Sequence, residues 1–169
     1  MSDETSTTGP LRDERLGAPL KRVVMRSIDE AVRRGAPSVE AEHLMLAIAV
    51  DDGVAARTLA GYGLDAAGID AALDAERARA LRAAGIEPVA EHRLHATRDS
   101  RPRWGHSMRE AMRRADYRAR RDRRRADRER LAVADTLIGI LRADLGTVPR
   151  ALAYAGIDRA ALITELERL

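Results

Sequence analysis

Residues 38–63, SVEAEHLMLAIAVDDGVAARTLAGYG, carry the pattern that decides the fold. Apolar residues in the first half of this stretch recur at helical spacing, and acidic residues precede them, where a helix dipole favours negative charge. We expect Ser38 to be the N-cap of this helix. After a short acidic turn, Gly53 should open a second helix and Gly63 should end it, because glycine readily adopts the left-handed conformation at helix ends.

The same pattern returns near the C-terminus, in residues 134–156, ADTLIGILRADLGTVPRALAYAG. When Gly53 is aligned with Gly146, several later positions carry identical residues. These pairs are Arg57 and Arg150, Leu59 and Leu152, Ala60 and Ala153, Gly63 and Gly156, and Asp65 and Asp158. Identity at a constant spacing indicates an internal duplication, and therefore two similar halves that share one core.

The composition favours an all-α fold. Cysteine and phenylalanine are absent, so alanine, leucine, valine, isoleucine and methionine must form most of the core. Alanine and leucine are good helix formers, and no alternating run of β-branched residues occurs. No stretch approaches the length of a membrane span, and the N-terminus lacks an apolar signal core. We therefore expect a cytoplasmic, all-α protein of eight helices, arranged as two four-helix repeats related by an approximate two-fold axis.

The sequence predicts four segments. Residues 1–15 are polar and are expected to be disordered, and residues 85–103 should form the linker between the repeats. The first repeat then comprises residues 16–84 and the second comprises residues 104–169. Within the second repeat, residues 118–130 are dense in charge, and the sequence leaves open whether they extend a helix or form a loop.

Some helix boundaries and faces can also be predicted. Asp65 and Asp158 are expected to cap the last helix of each repeat. The sixth helix is expected at residues 132–143. In the fourth helix, residues 66–84, helical spacing predicts an inward face formed by Ile69, Leu73, Ala80 and Leu81.

The centre of each half resembles the Clp N-terminal repeat domain, which precedes the ATPase modules of the unfoldases that feed Clp proteases. In that family the centre reads T-E-H-[IL]-L-L-[GA]-[LI], then a turn, then G-V-A-A-R-x-L-x-x-x-G-[ILV]. Residues 41–48 and 53–64 match this pattern almost residue for residue, and the resemblance extends over about residues 16–169. No phosphate-binding loop of the form G-x-x-x-x-G-K-[ST] occurs. The resemblance implies a stand-alone, non-enzymatic copy of the domain, and its arginine-rich composition points to an actinobacterial source.

The resemblance also implies a protein-binding function. The family binds substrates and adaptors, some members bind phosphorylated arginine, and actinobacterial relatives are targets of cyclic-peptide antibiotics. We expect the partners to be Clp unfoldase subunits or their substrates, with cyclic peptides as further ligands. The chain would then act as an adaptor, modulator or decoy of a Clp unfoldase–protease, without a cofactor, a membrane or nucleic acid as partner.

A ligand site is implied by the same resemblance. Members that bind phosphoarginine offer, in each repeat, an early threonine and the glutamate of the T-E-H motif. The corresponding residues are Gly17, Glu42, His43, Gly105 and Asp135. With a shift of one residue, Ala134 takes the place of Asp135. Because glycine replaces both threonines, a phosphate would depend on backbone amides at helix N-termini, and we expect phosphoarginine to bind weakly, within the first repeat.

Two other interpretations compete with this one. Glu42 and His43 are also a helix-start pair that could cap amides locally. The eight arginines of residues 118–130 could bind nucleic acid, which makes an arginine-rich nucleic-acid-binding protein the alternative function. The acids interspersed among them favour an exposed helix face with Arg–Asp and Arg–Glu pairs instead. His92, His95 and His106 lack a neighbouring pattern of carboxylates, so we expect a solvated linker and no zinc site.

Overall fold

The computed structural model of the protein describes residues 16–87, 102–117 and 122–169. Within these residues the chain forms the eight predicted helices and one pair of two-residue strands. In chain order the elements are α1 (Ala18–Arg33), β1 (Ser38–Val39), α2 (Ala41–Ala49), α3 (Val54–Gly61), α4 (Ala66–Ala83), β2 (Arg103–Trp104), α5 (His106–Arg114), α6 (Arg125–Leu141), α7 (Thr147–Tyr154) and α8 (Arg159–Glu167). The predicted disordered tail and most of the predicted linker lie outside the described residues.

The two halves are related by an approximate two-fold axis, as predicted. Helices α1–α4 correspond to α5–α8, and helix contacts in one half recur in the other. α1 packs on α2 as α5 packs on α6, and α4 packs on α7 as α8 packs on α3. α3 and α7 also begin and end at positions that the alignment of Gly53 with Gly146 makes equivalent.

The central helices α2 and α6 are buried on nearly every side. Residues 43–48 of α2 and residues 133–141 of α6 are all buried. A helix that is largely apolar all round must be covered all round. Four helices, α1, α3, α5 and α7, each pack against both α2 and α6. Each repeat therefore completes the core of the other.

The N-terminus of α2 is capped differently from the prediction. Ser38 was the expected N-cap, but it belongs to β1, which pairs in parallel with β2. Glu40 is the N-cap instead. The Glu40 N–H donates to Nδ1 of His43 at 2.9 Å, and the Ala41 N–H donates to Oγ of Ser107 at 2.9 Å. Strand pairing fixes the backbone at Ser38, so the helix starts two residues later.

Glu40 in turn caps α5, a helix of the other repeat. Its carboxylate accepts hydrogen bonds from the Ser107 N–H at 2.9 Å and from Ser107 Oγ at 2.6 Å, and also one from Ser38 Oγ at 2.8 Å. Burial tends to raise the pKa of the Glu40 carboxyl, but the hydrogen bonds from Ser107 and Ser38 outweigh it and hold the pKa below its usual value. Gly105 is the N-cap of α5, and a Cβ there would overlap the Glu40 carboxylate.

The last helix of each repeat begins as predicted. The Asp65 carboxylate accepts the Gly68 N–H at 2.8 Å, and the Asp158 carboxylate accepts the Ala161 N–H at 3.0 Å. Each contact satisfies one of the amides that a helix start leaves without a partner. The two aspartates, paired by the internal alignment, therefore have the same local role.

The predicted inward face of α4 is only partly correct. Ile69 and Leu73 are buried and Leu81 is half-buried, but Ala80 is exposed. Glu76 is buried on this helix, where its carboxylate accepts a hydrogen bond from Arg150 of α7 at 2.7 Å. An apolar pattern alone could not reveal that an ion pair to another helix occupies this part of the interface.

α6 starts seven residues earlier than predicted, at Arg125, and ends at Leu141. The charged residues from Arg125 onward therefore extend the helix, while residues 118–121 lie outside the described part of the chain. Arg125 pairs with Glu129 at 2.8 Å, a spacing of one helical turn that stabilises the exposed first turns. No helix among the described residues is both long and apolar enough to cross a membrane.

The contact between Glu40 and α5 leads to a prediction for Gly105→Ala. The added methyl group would displace the carboxylate that caps α5, so we expect a loss of about 2 kcal/mol or more of unfolding free energy. Gly61→Ala is the matched control, because a Cβ there meets no atom within 4 Å and should be neutral or stabilising by up to about 1 kcal/mol. Urea denaturation measures the unfolding free energy of both variants. In a Glu40→Ala background, Gly105→Ala should lower the unfolding free energy by a smaller amount, because the carboxylate that it displaces is absent. An undiminished cost in that background would contradict the proposed clash.

His43 leads to a second prediction, on pH. His43 is 3 % exposed, and burial, followed by the charge of Arg34, lowers its pKa to about 4. In the unfolded chain the histidine titrates near its ordinary pKa of about 6.5, so the unfolded state binds a proton first as the pH falls. The stability contributed by neutral His43 is therefore complete above about pH 6.5, and roughly 3 kcal/mol is lost by pH 4.

The variant His43→Gln keeps an acceptor for the Glu40 N–H but does not titrate. As the pH falls from 6.5 to 4, we expect the parent to lose more unfolding free energy than this variant does. Urea denaturation at half-unit pH steps measures this difference. A difference that stays constant over the range would show that His43 is not held neutral in the folded protein.

Candidate functional site

Two cavities lie at junctions between the repeats, in positions that the two-fold axis makes approximately equivalent. The first, which we call the Glu42 cavity, has a volume of about 510 Å³ and lies between the starts of α2 and α5 and the turn before α7. The second, which we call the Asp135 cavity, has a volume of about 540 Å³ and lies between the start of α1 and α6. Each cavity thus combines the first helix of one repeat with the second helix of the other.

The structure therefore brings the predicted site residues together across the repeats. The family motif describes one repeat at a time, so we expected Gly17 and Glu42 to belong to one pocket. Instead, Glu42 lies with Ser107 of α5, whereas Gly17 lies in the other cavity with Asp135. Asp135, rather than its alternative Ala134, lines that cavity. The pairing across the axis follows from the packing of α1 on α6 and α5 on α2, which the order of the sequence does not reveal.

Both glycines at the expected threonine positions are approached by a glutamate of the other repeat. At Gly105 this is Glu40, and at Gly17 the Cγ of Glu129 lies 2.9 Å from the position that a Cβ would take. Gly105 does not line the Glu42 cavity, and the nearby Ser107 N–H already donates to Glu40. The Ser107 amide at the start of α5 is therefore not available to a phosphate, which was expected to depend on such amides.

Glu42 differs from the other carboxylates of the Glu42 cavity in combining partial burial with the lack of a side-chain partner among the described residues. It is half-buried, and no ion pair or hydrogen bond joins it to another side chain in the described part of the molecule. Burial raises the pKa of the Glu42 carboxyl, and the negative charges of Glu40 and Glu76 act in the same direction, against its own backbone N–H and the charge of Arg34. A carboxylate in this environment is stabilised by any cation that comes within hydrogen-bonding distance.

His43, by contrast, is committed to local structure. Its Nδ1 accepts the Glu40 N–H, and its ring is buried among core residues. The local capping interpretation from the sequence is thus correct for His43, while Glu42 beside it takes no part in this cap. His43 lines a third cavity but has one nitrogen already engaged.

That third cavity, which we call the Arg34 cavity, has a volume of about 390 Å³ and lies on another side of Glu42. It shares Glu40, Glu42 and Thr147 with the Glu42 cavity, so the two cavities adjoin at these residues, and we call them together the trench. The cations and acids of the Arg34 cavity are partly engaged. Arg34 pairs with Asp74 at 2.7 Å as well as with Asp70, and Glu76 pairs with Arg150.

The two equivalent cavities differ in charge. Four carboxylates line the Glu42 cavity against one guanidinium, that of Arg114, and the imidazole of His106. In the Asp135 cavity, two arginines balance two acids: Arg125, Arg128, Glu129 and Asp135. The pair of cavities is therefore asymmetric, and only the Glu42 cavity has a strong excess of negative charge.

Sequence reasoning missed Glu40 and Ser107, which shape the Glu42 cavity. Ser107 is the second residue of α5, after an N-cap glycine, and a serine at a helix start is a signal of capping. That signal indicates a local role and gives no indication of a partner in the other repeat. Thr147, in the loop-to-helix junction of the second repeat, could not be connected to Glu42 without the packing of α2 on α7.

The arginines of α6 form pairs along the helix. Arg125 pairs with Glu129, and Arg130 approaches Asp127 at 3.7 Å. These are the exposed pairs that the sequence favoured over a nucleic-acid surface. His92 and His95 lie outside the described residues, and within the described ones no three His, Cys, Asp or Glu residues are grouped as metal ligands would be.

Comparison with known protein families identifies the fold. Residues 15–155 match the model of a family described as the Clp repeat (R) N-terminal domain. A search of curated proteins found no match. The family match covers most of the chain and includes every residue that lines the three cavities. The chain therefore belongs to the Clp repeat N-terminal domain family, and as such it is a protein-binding module related to the Clp system.

Proposed function

We propose that the chain binds peptide segments by a basic side chain that enters the Glu42 cavity, and that it does so without catalysing a reaction. The observation that carries this proposal is the half-buried Glu42 carboxylate, whose pKa is raised and which has no side-chain partner among the described residues. A lysine or arginine of a ligand supplies the missing positive charge. An arginine adds two parallel hydrogen bonds to the carboxylate.

The rest of the cavity supports a cationic ligand. Glu110 and Asp144 add negative charge on the rim, while Arg114 is partly engaged, since its Nε donates to the carbonyl oxygen of Gly139 at 2.9 Å. The same excess of negative charge disfavours a phosphate. Phosphoarginine should therefore bind more weakly than arginine, because its guanidinium carries a phosphate and the Ser107 N–H at the start of α5 already donates to Glu40.

In the cell, such a module would act as an adaptor, a modulator or a decoy for a Clp unfoldase–protease. An adaptor delivers bound cargo to the unfoldase, whereas a decoy withholds it. Both roles need the same chemistry, which is reversible recognition of a short exposed segment. The ligands we expect are degrons and cyclic peptides that present a basic side chain, and the partners are Clp unfoldase subunits or their substrates.

The variant Glu42→Gln tests this proposal. It removes the charge and keeps the shape, so we expect affinity for a capped arginine-containing peptide to fall roughly tenfold or more. Because the pKa of Glu42 is raised by folding, the charged form is disfavoured in the folded state at neutral pH. The variant should therefore be at least as stable as the parent. Isothermal calorimetry and thermal unfolding measure the two effects.

Glu110→Gln is the matched control for this test. It makes the same change of charge in the same cavity, but Glu110 already accepts a hydrogen bond from Arg113 at 2.6 Å. We expect the control to weaken binding by less than about threefold, because a carboxylate that is already paired with an arginine gains little from a second cation. Equal losses in the two variants, or tighter binding of a phosphoarginine peptide than of the arginine peptide, would contradict the role of Glu42.

A further inference from the structure

The Glu42 cavity has an apolar side as well as an acidic one. Besides the carboxylates, its lining includes apolar side chains from the end of α6, the following turn and the start of α7: Ile140, Ala143, Leu145, Val148 and Pro149. Leu145 is 90 % exposed, more than any other large apolar residue described as exposed in this molecule. A leucine in water at the mouth of a cavity is positioned to cover an apolar group of a ligand.

Leu145 lies on a backbone that fixes its position. It precedes Gly146, the N-cap of α7, which has a φ of 123° and adopts a conformation that other residues rarely reach. Val148 and Ile140 are buried on the two helices that flank this turn. Leu145 is thus exposed on a turn between two helices that are packed in the core. Thr147, two residues later, also lines the trench beside Glu42.

We propose that the occupant of the trench is an extended peptide segment in which an aliphatic residue such as leucine lies next to the arginine or lysine. This inference rests on the proposed function, because it assigns the neighbour of the basic residue that Glu42 binds. The basic side chain contacts Glu42, and the adjacent aliphatic side chain covers Leu145. Because the Glu42 cavity and the Arg34 cavity adjoin at Glu42, there is space for a peptide on either side of this residue.

Charge and polarity together support this choice of ligand. The four carboxylates favour a cation as ligand. An amine or guanidinium alone would pair with these carboxylates but would leave Leu145 exposed to water. A purely apolar peptide would cover Leu145 but leave Glu42 desolvated and without a partner, which is unfavourable for a carboxylate. A segment that carries both groups on neighbouring residues satisfies both sides of the cavity.

The test uses three capped hexapeptides that differ only at their two central residues: Arg-Leu, Arg-Ser and Ser-Leu. Binding to the whole chain is measured by calorimetry or by NMR titration. The parent should bind Arg-Leu on the order of tenfold more tightly than Arg-Ser, as expected for burial of a leucine side chain against an apolar surface. Ser-Leu should bind more weakly than Arg-Leu, because it lacks the cation that Glu42 requires.

The variant Leu145→Ser should remove the preference for Arg-Leu, so that it binds Arg-Leu and Arg-Ser with about equal affinity. Ile86→Ser is the matched control, because Ile86 is also an exposed aliphatic residue, 53 % exposed, outside the lining of this cavity. Thermal unfolding verifies that both variants are folded, which their exposure leads us to expect.

The possible outcomes separate this inference from the proposed function. If the parent binds Arg-Ser as tightly as Arg-Leu, or if Leu145→Ser keeps the preference, the inference about the neighbouring residue is overturned while the role of Glu42 stands. If neither arginine peptide binds, the proposed function fails and this inference fails with it. Loss of the preference in Leu145→Ser but not in Ile86→Ser supports the inference.

Discussion

Each repeat has a central helix that it cannot bury alone, and this constraint determines most of the structure. Residues 43–48 of α2 are buried, as are residues 133–141 of α6, and the covering helices α1, α3, α5 and α7 each contact both. The halves must therefore associate closely, with the first helix of one repeat against the second helix of the other. The two cavities are a consequence, because they lie where helix starts of one repeat meet a neighbour of the other.

Two glutamates at this junction, two residues apart in sequence, differ in whether side chains of the fold compensate their charge. Glu40 accepts hydrogen bonds from Ser107 and Ser38, and its pKa is lowered, so its charge is compensated within the fold. Glu42 has no side-chain partner in the described part of the chain, and burial raises its pKa. The first carboxylate holds two repeats together. Burial disfavours the charged form of the second, as is common at binding sites, and we propose that a cation of the ligand offsets this cost.

The sequence was sufficient for the number of helices, their order and the two-fold repeat, because helical spacing and the match of Gly53 with Gly146 depend on local features. It also indicated Glu42 as a candidate ligand-binding residue, which stays a prediction. It was wrong about Ser38, since strand pairing with a segment 65 residues away in sequence fixes the backbone there. It could not place Glu40 against Gly105 or Gly17 against Glu129, because these contacts join helices of different repeats. Contacts between the two repeats join residues that are far apart in sequence, so no local sequence pattern predicts them.

The binding site is tested most directly by mapping where an arginine peptide contacts the protein. Amide shift changes in a ¹⁵N-labelled sample, recorded during a titration with the capped Arg-Leu peptide, distinguish the two cavities. We expect the largest changes at Glu42, Ser107 and Thr147, which line the Glu42 cavity. Changes centred instead on Gly17 and Asp135, in the cavity whose charges are balanced, would contradict the assignment of the site to Glu42.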